Sequence, residues 1–351
     1  MAWNKQKIEG ILFDKLKFFF SESPSEADKF FGYYTIARDT LLSENIFNDI
    51  KIIQPGLSDH GENHIMEVLS NANKLLGHKI TDIDAMQIYF ICVLILFHDV
   101  GNLTVDRSIH HQQDVIREVY DYIRHQSIEF DEERILIPEV ASKHSGNASD
   151  GSKDTINELS HLPQHLFTTP IHSRKCAALL RFADELAEGP QRTSIFMNKY
   201  YNYPYDINSI IYHKYAEITK INIDRDNERI CITYNFKIHA IEGIIAEEEH
   251  LNFLELFGFT IKRMLKLENE RKYCKYYCDW LEPYKKTHII FNFIIENNID
   301  GKLKSKRIIS DFSEIYLNDL VIPGQNSADK FYEENIEFEP EKVFNTIKNA
   351  L

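Results

Sequence analysis

Residues 85–102 read AMQIYFICVLILFHDVGN. The segment up to Phe97 is apolar almost throughout, as befits a helix buried on every side. It then delivers His98 and Asp99 side by side, just ahead of Gly101. Burying an imidazole next to a carboxylate is costly unless something compensates. A cation would do so, because it stabilises the carboxylate and the neutral imidazole together. The end of this helix is therefore the place to look for chemistry.

Working outward, the first half of the chain reads helical. Ile8, Ile11, Leu12, Leu16 and Phe19 recur at helical spacing, and a second amphipathic run covers Ala27 to Leu42. Pro55 and Gly56 break the pattern. A helix is expected from near Asp59, with Gly77 as its stop, and the greasy helix follows from Ile83, capped by Thr81 or Asp82. Further helices are expected around 110–126, 131–143 and 171–188. Between them, Ser145 to Pro170 is rich in Gly, Ser, Asn, Asp and Pro, so it reads as a long loop with at most a short helix. After about Asn202 the texture changes. ITKINIDRDNERICITYNFKI alternates apolar and polar residues on both sides of DRDNE, a hairpin signature. A long helix (247–281), a strand in HIIFNFII and a β-prone IYLNDLVI complete an α+β region. The expected domains are an all-α one over 1–200 and a smaller α+β one over 203–351.

Bulk composition narrows the function. The 351 residues are 43% hydrophobic and 27% charged, which allows a substantial core. The formal charge of −14 repels polyanions, so bulk nucleic-acid binding is not expected, while a local cationic pocket for a small phosphorylated ligand stays open. Five scattered cysteines suit reduced thiols, Cys274 and Cys278 included. The longest apolar run falls short of the ~20 residues that a membrane helix needs. The N-terminus lacks the pattern of a secretory signal. A cytoplasmic location without membrane contact is expected.

Histidines and acids recur through the α region. His60 and His64 are four apart, on one helical face, in DHGENHIMEVL. His110 and His111 lie in DRSIHHQQDVI, His144 in ASKHSGN and Asp184 in LLRFADELAEGPQR. Such donors suit divalent ions, and they need not be near in sequence if their helices bundle. By contrast His78, His125, His161, His165 and His172 fit surface or satisfied core positions.

That ordered set resembles the HD superfamily of metal-dependent phosphohydrolases over roughly residues 55–195. The matching motifs are HIMEVL at His64, LILFHDVGN at His98 and Asp99, and LLRFADELA at Asp184. SDHGENHI with LLRFADELAEGPQR is nearest to the HD-type domains of bacterial conflict systems, the HD-CE group. The resemblance implies a mainly α fold, an HD-type helical bundle with a smaller C-terminal α+β domain. It implies that His64, His98, Asp99 and Asp184 hold a first divalent ion, of Mn, Mg, Fe, Co or Ni type. Asp99 would bridge to a second ion held by His110 and His144, with His111 as an accessory. His60 would contact substrate or assist catalysis, unless it exchanges roles with His64. Asn102 stands where several phosphodiesterase branches carry a lysine, and Ser145 follows His144 where the two-metal cyclic-dinucleotide enzymes carry a second histidine. Cations that could replace the lysine are Arg107, Lys143, Arg181 and Arg192, although Arg181 and Arg192 could equally pair with Glu185 or Glu188. The implied activity is hydrolysis of a nucleotide-like phosphoester or phosphoanhydride, with homo-oligomer formation left open. The alternatives are a nucleotide sensor without turnover, using the C-terminal domain as output, and a dNTP triphosphohydrolase.

Overall fold

The computed structural model describes residues 3–53, 58–104, 112–124, 130–194, 207–309, 315–317 and 328–351. Pro55, Gly56, Arg107, His110, His111, His125 and the 200–203 boundary lie outside the described residues. The fold is mainly α with a smaller C-terminal sheet. The chain divides into two compact units, residues 1–187 with 273–282, and residues 188–272 with 283–351.

The first unit is built from α1 (Lys7–Phe19), α2 (Pro24–Ser43), α3 (Ile46–Ile53), α4 (Glu62–Leu76), α5 (Ala85–Phe97), α6 (Gln113–Arg124), α7 (Asp131–Ala141) and α8 (Ser173–Glu185). Every residue of α5 is buried, and the helix packs against α1, α2, α4, α7 and α8. It is the axis of the bundle. Each large aliphatic side chain it buries contributes about 1.5–3 kcal/mol. Ala85–Leu103 is in fact long and apolar enough by composition to cross a membrane, yet 94% of that window is buried inside the protein. The cap of α5 is Asp84, whose side chain accepts from Met86 N at 2.8 Å, rather than Thr81 or Asp82. Residues 77–81 form a 3-10 turn instead, which holds Thr81 and Asp82 back from the helix start. Gly77 does end α4, with φ of +47° that suits glycine.

The region read as a loop holds more than a short helix. A 3-10 turn spans Thr155–Glu158, and β1 (Gln164–Leu166) pairs antiparallel with β2 (Thr169–Ile171). The first unit is therefore not purely helical. The hairpin tip is Phe167-Thr168, both at positive φ, where Asn-Gly is the usual signal. Phe167 offsets this conformation by packing its ring 4.9 Å from that of Phe30.

In the second unit, α9 (Ile207–Ile218) leads into β3 (Thr219–Asp224) and β4 (Arg229–Ile241), the expected hairpin. The long helix α10 (Glu247–Tyr277) then crosses over to β5 (Lys286–Ile299), which pairs with β4 in parallel, and β6 (Lys302–Ile309) and β7 (Ile315–Leu317) pair with β5. Parallel pairing follows from the crossover, because a tight turn joins only antiparallel strands. Helices α11 (Ala328–Glu334) and α12 (Pro340–Asn349) close the chain. One sheet face is buried through Ile232, Tyr234, Phe236, Phe291 and Phe293, and Phe253 and Phe257 of α10 pack on it. The last turn of α10, Tyr273–Tyr277, belongs to the first unit.

Candidate metal centre

Three helices of the first unit deliver one polar cluster. His64 lies in the first turn of α4, His98 and Asp99 follow the end of α5, and Asp184 lies in the last turn of α8. Asn71, two turns along α4 from His64, donates to the carbonyl of Ala183 at 3.2 Å and so ties α4 to α8 beside Asp184. Sequence inspection passed over Asn71, because a lone amide in an amphipathic helix carries no signal.

His64 Nε2 lies 3.2 Å from Asp99 Oδ2 and 3.0 Å from Asp184 Oδ1. His98 Nε2 lies 3.2 Å from Asp99 Oδ2 and 3.8 Å from Asp184 Oδ1. One donor atom from each of the four residues falls within 4.8 Å of every other. Yet His98 Nε2 and Asp99 Oδ2 are buried without a hydrogen bond among the described residues. Lone pairs that converge in this way fit a divalent cation, and imidazole with carboxylate is its usual donor set.

Tautomers support the same fit. His98 Nδ1 donates to the carbonyl of Ile95 at 2.8 Å, which leaves the Nε2 lone pair turned to the cluster when the ring is neutral. His144 Nδ1 does the same to Ala141 at 2.6 Å, and His60 Nδ1 to Ser58 at 2.5 Å. Electrostatics describe the cation-free site. Burial acts to lower the His98 pKa, but Asp99 and Asp184 override it, and the ring is pushed up to about 10. Burial would raise Asp99, but His98 and His60 beside it hold its carboxyl well below the usual carboxylate range. Asp184 is likewise held down against its burial, by His64 and His98. Burial, followed by the charge of His98, lowers His144.

His144 Nε2 stands 3.8 Å from Asp99 Oδ1, the oxygen turned away from His64 and His98. His60 Nε2 is 4.0 Å from Asp99 Oδ2, and its ring lies 5.4 Å from that of His64. His64 is thus the histidine inside the four-residue cluster, and His60 stands at its edge. The side chain of Asp184 is 27% exposed, so the cluster opens to solvent there.

Of the cations named from sequence, Lys143 Nζ pairs with Glu158 at 2.7 Å. Arg181 is buried, with Nη1 2.9 Å from Thr155 Oγ1 and the guanidinium 4.6 Å over the Tyr273 ring. Arg192 is buried within the second unit.

A helix end that presents His-Asp to a histidine of the preceding helix and an aspartate of a later one defines an HD-type domain. The family model described as HD-CE matches residues 54–256, more than half of the chain, and the chain belongs to that family. No curated protein and no solved structure matches it significantly.

Proposed function

We propose that the first unit is a metal-dependent phosphohydrolase acting on a phosphoester or phosphoanhydride of a nucleotide-like substrate. The observation that carries this reading is the two-sided use of Asp99. Its Oδ2 meets His64 and His98 at 3.2 Å each, and its Oδ1 faces His144 at 3.8 Å. One carboxylate thus faces the donor set completed by Asp184 with one oxygen and His144 with the other. A divalent ion held there by His64, His98, Asp99 and Asp184 would supply Lewis-acid chemistry, lowering the pKa of a water and offsetting charge on phosphoryl oxygens. Asp99, fixed at the helix end, orients the attacking group. His60, half-buried at the edge of the cluster, is placed to carry a proton or to hold a substrate oxygen. His110, together with His144, is proposed for the second ion.

The internal engagement of Lys143 and Arg181 favours a second reading, a nucleotide sensor that binds without turnover. Cytoplasmic placement, a small phosphorylated partner and a role in bacterial defence are parts of the same proposal.

The test is metal analysis of the purified chain, followed by incubation with nucleotides and cyclic dinucleotides in Mn²⁺, Mg²⁺, Fe²⁺, Co²⁺ or Ni²⁺. The expected result is phosphate or nucleotide release that Asp99→Ala abolishes. Nucleotide that binds and is recovered unchanged with every ion would overturn the enzyme reading in favour of the sensor.

A further inference from the structure

The buried guanidinium of Arg181 belongs to a chain of contacts that leads toward His144. Thr155 Oγ1, which accepts from Arg181, donates to the carbonyl of Lys143 at 2.6 Å, and Lys143 is the residue before His144. On either side of Thr155 the loop is held by the last turn of α10. Asp154 Oδ1 accepts from Tyr273 Oη at 2.9 Å and from Tyr277 Oη at 2.7 Å. Ile156 N donates to Tyr273 Oη at 3.0 Å. Residues 154, 155 and 156 are therefore each gripped, and the middle one grips the backbone at 143. Thr155 and Ile156 are buried, so the bonds from Arg181 to Thr155 and from Ile156 to Tyr273 are sheltered from water, while those of Asp154 are half-buried.

From the α7 side His144 is held by the Ala141 carbonyl, which accepts from its Nδ1 at 2.6 Å. It lies just past the end of α7, and a glycine-, serine- and asparagine-rich stretch follows it. The bonds from Ala148 N to Ser152 O and from Gly151 N to Ala148 O close that stretch on itself without reaching back to His144.

We propose that Tyr273 and Tyr277 are positioning residues for His144. The last turn of α10 sets, through Asp154 and Thr155, where the His144 ring stands beside Asp99 Oδ1. This inference rests on the reading of His144 as a ligand of the second cation, the weaker of the two because Ser145 supplies no imidazole beside it. A ligand held even about 0.5 Å from its productive place loses much of its value, so the clamp governs affinity on that side alone. Arg181, stacked on Tyr273, braces the clamp from α8.

The test uses the full chain with Tyr273→Phe and Tyr277→Phe combined, and Thr155→Val as a second variant that keeps the packing and removes the hydroxyl link. Histidine-selective ¹⁵N NMR without added metal is the first arm. The ring signals of His144 should shift in both variants while those of His64 and His98 stay in place. Unchanged His144 signals, or equal shifts of all three histidines, overturn the proposal. Titration with Mn²⁺ is the second arm. The weaker cation should lose about tenfold in affinity, the scale of a ligand's supporting contacts. The tighter cation should be unaffected, and the phenylalanine pair should add nothing on a His144→Ala background. A selective NMR shift in a chain that binds only one Mn²⁺ supports the positioning role and removes the second cation instead.

Discussion

At the scale of single residues, Asp99 carries the greatest weight. On the proposed reading Asp99→Ala removes a ligand of the first ion and the link toward His144, so cation binding and hydrolysis should both be lost. Without a cation, its histidine neighbours hold the Asp99 carboxylate charged against its burial, so alanine should destabilise the metal-free chain as well, by leaving buried imidazolium short of a counter-charge. At a hundredfold excess over Kd, a cation should stabilise the wild type by about 2.7 kcal/mol through mass action. Thermal unfolding with and without Mn²⁺ checks this, and equal stabilisation of both chains would sink the metal site. His98 adds a pH dependence. Its folded pKa, raised to about 10, lies above the unfolded value of about 6.5. Its contribution to the metal-free protein is thus complete below about pH 6.5 and fades as pH climbs toward 10. Cation binding runs the other way, because the ion replaces the His98 proton. From pH 6.5 to 8.5 the metal-free melting temperature should fall while Mn²⁺ affinity rises, with proton release visible by calorimetry in buffers of different ionisation heat. Affinity that is flat across this range would show that His98 is not a ligand.

At the scale of elements, α5 was legible because nothing but a buried helix accommodates so long an apolar run ahead of His98. The hairpin β1–β2 was not, since Phe167-Thr168 carries no glycine at a turn that needs positive φ. Helix α9 escaped for a different reason: INSIIYHKYAEI precedes a strongly alternating stretch whose period dominates the eye. For the site, His98 and Asp99 stood out because an imidazole and a carboxylate at the end of a buried helix are costly without a purpose. His64 and Asp184 joined them through the likeness of their motifs to the HD superfamily. The supports Asn71, Thr155 and Tyr273 did not stand out, because their partners lie far off in the chain. One element-level network is open to measurement. Glu133 of α7 accepts from Tyr89 of α5 and from Tyr120 and Arg124 of α6, each at 2.7 Å, and all four residues are buried. Glu133→Ala would leave a buried guanidinium without its counter-charge and two hydroxyls without their acceptor. The expected loss is about 3–5 kcal/mol in urea unfolding. A loss below ~1 kcal/mol would mean that water replaces the carboxylate.

At the scale of the whole molecule, the two units divide the labour by the kind of residue each buries. The first gathers imidazole and carboxylate at one point, whereas the second places His239 at its surface and packs His250 and His288. His239 is 62% exposed in its side chain and lies 3.5 Å from Glu296, a surface pair worth little. His288 is buried on β5 with its Nδ1 3.9 Å from Cys231 Sγ, its register partner on β4. His250 stacks on Phe344 at 4.0 Å and so helps to dock α12 on α10. None of these belongs to the four-residue cluster. It follows that His239→Ala should leave both stability and cation binding as they are. His288→Ala should lower stability, as the loss of a packed ring in a sheet does, by about 1–3 kcal/mol. The increment in melting temperature that Mn²⁺ produces should nevertheless match the wild type in both variants. That comparison separates structure from ligation, because a ligand's loss removes the increment and a packing residue's loss only shifts its baseline. A vanished increment in either variant would extend the metal centre into the second unit.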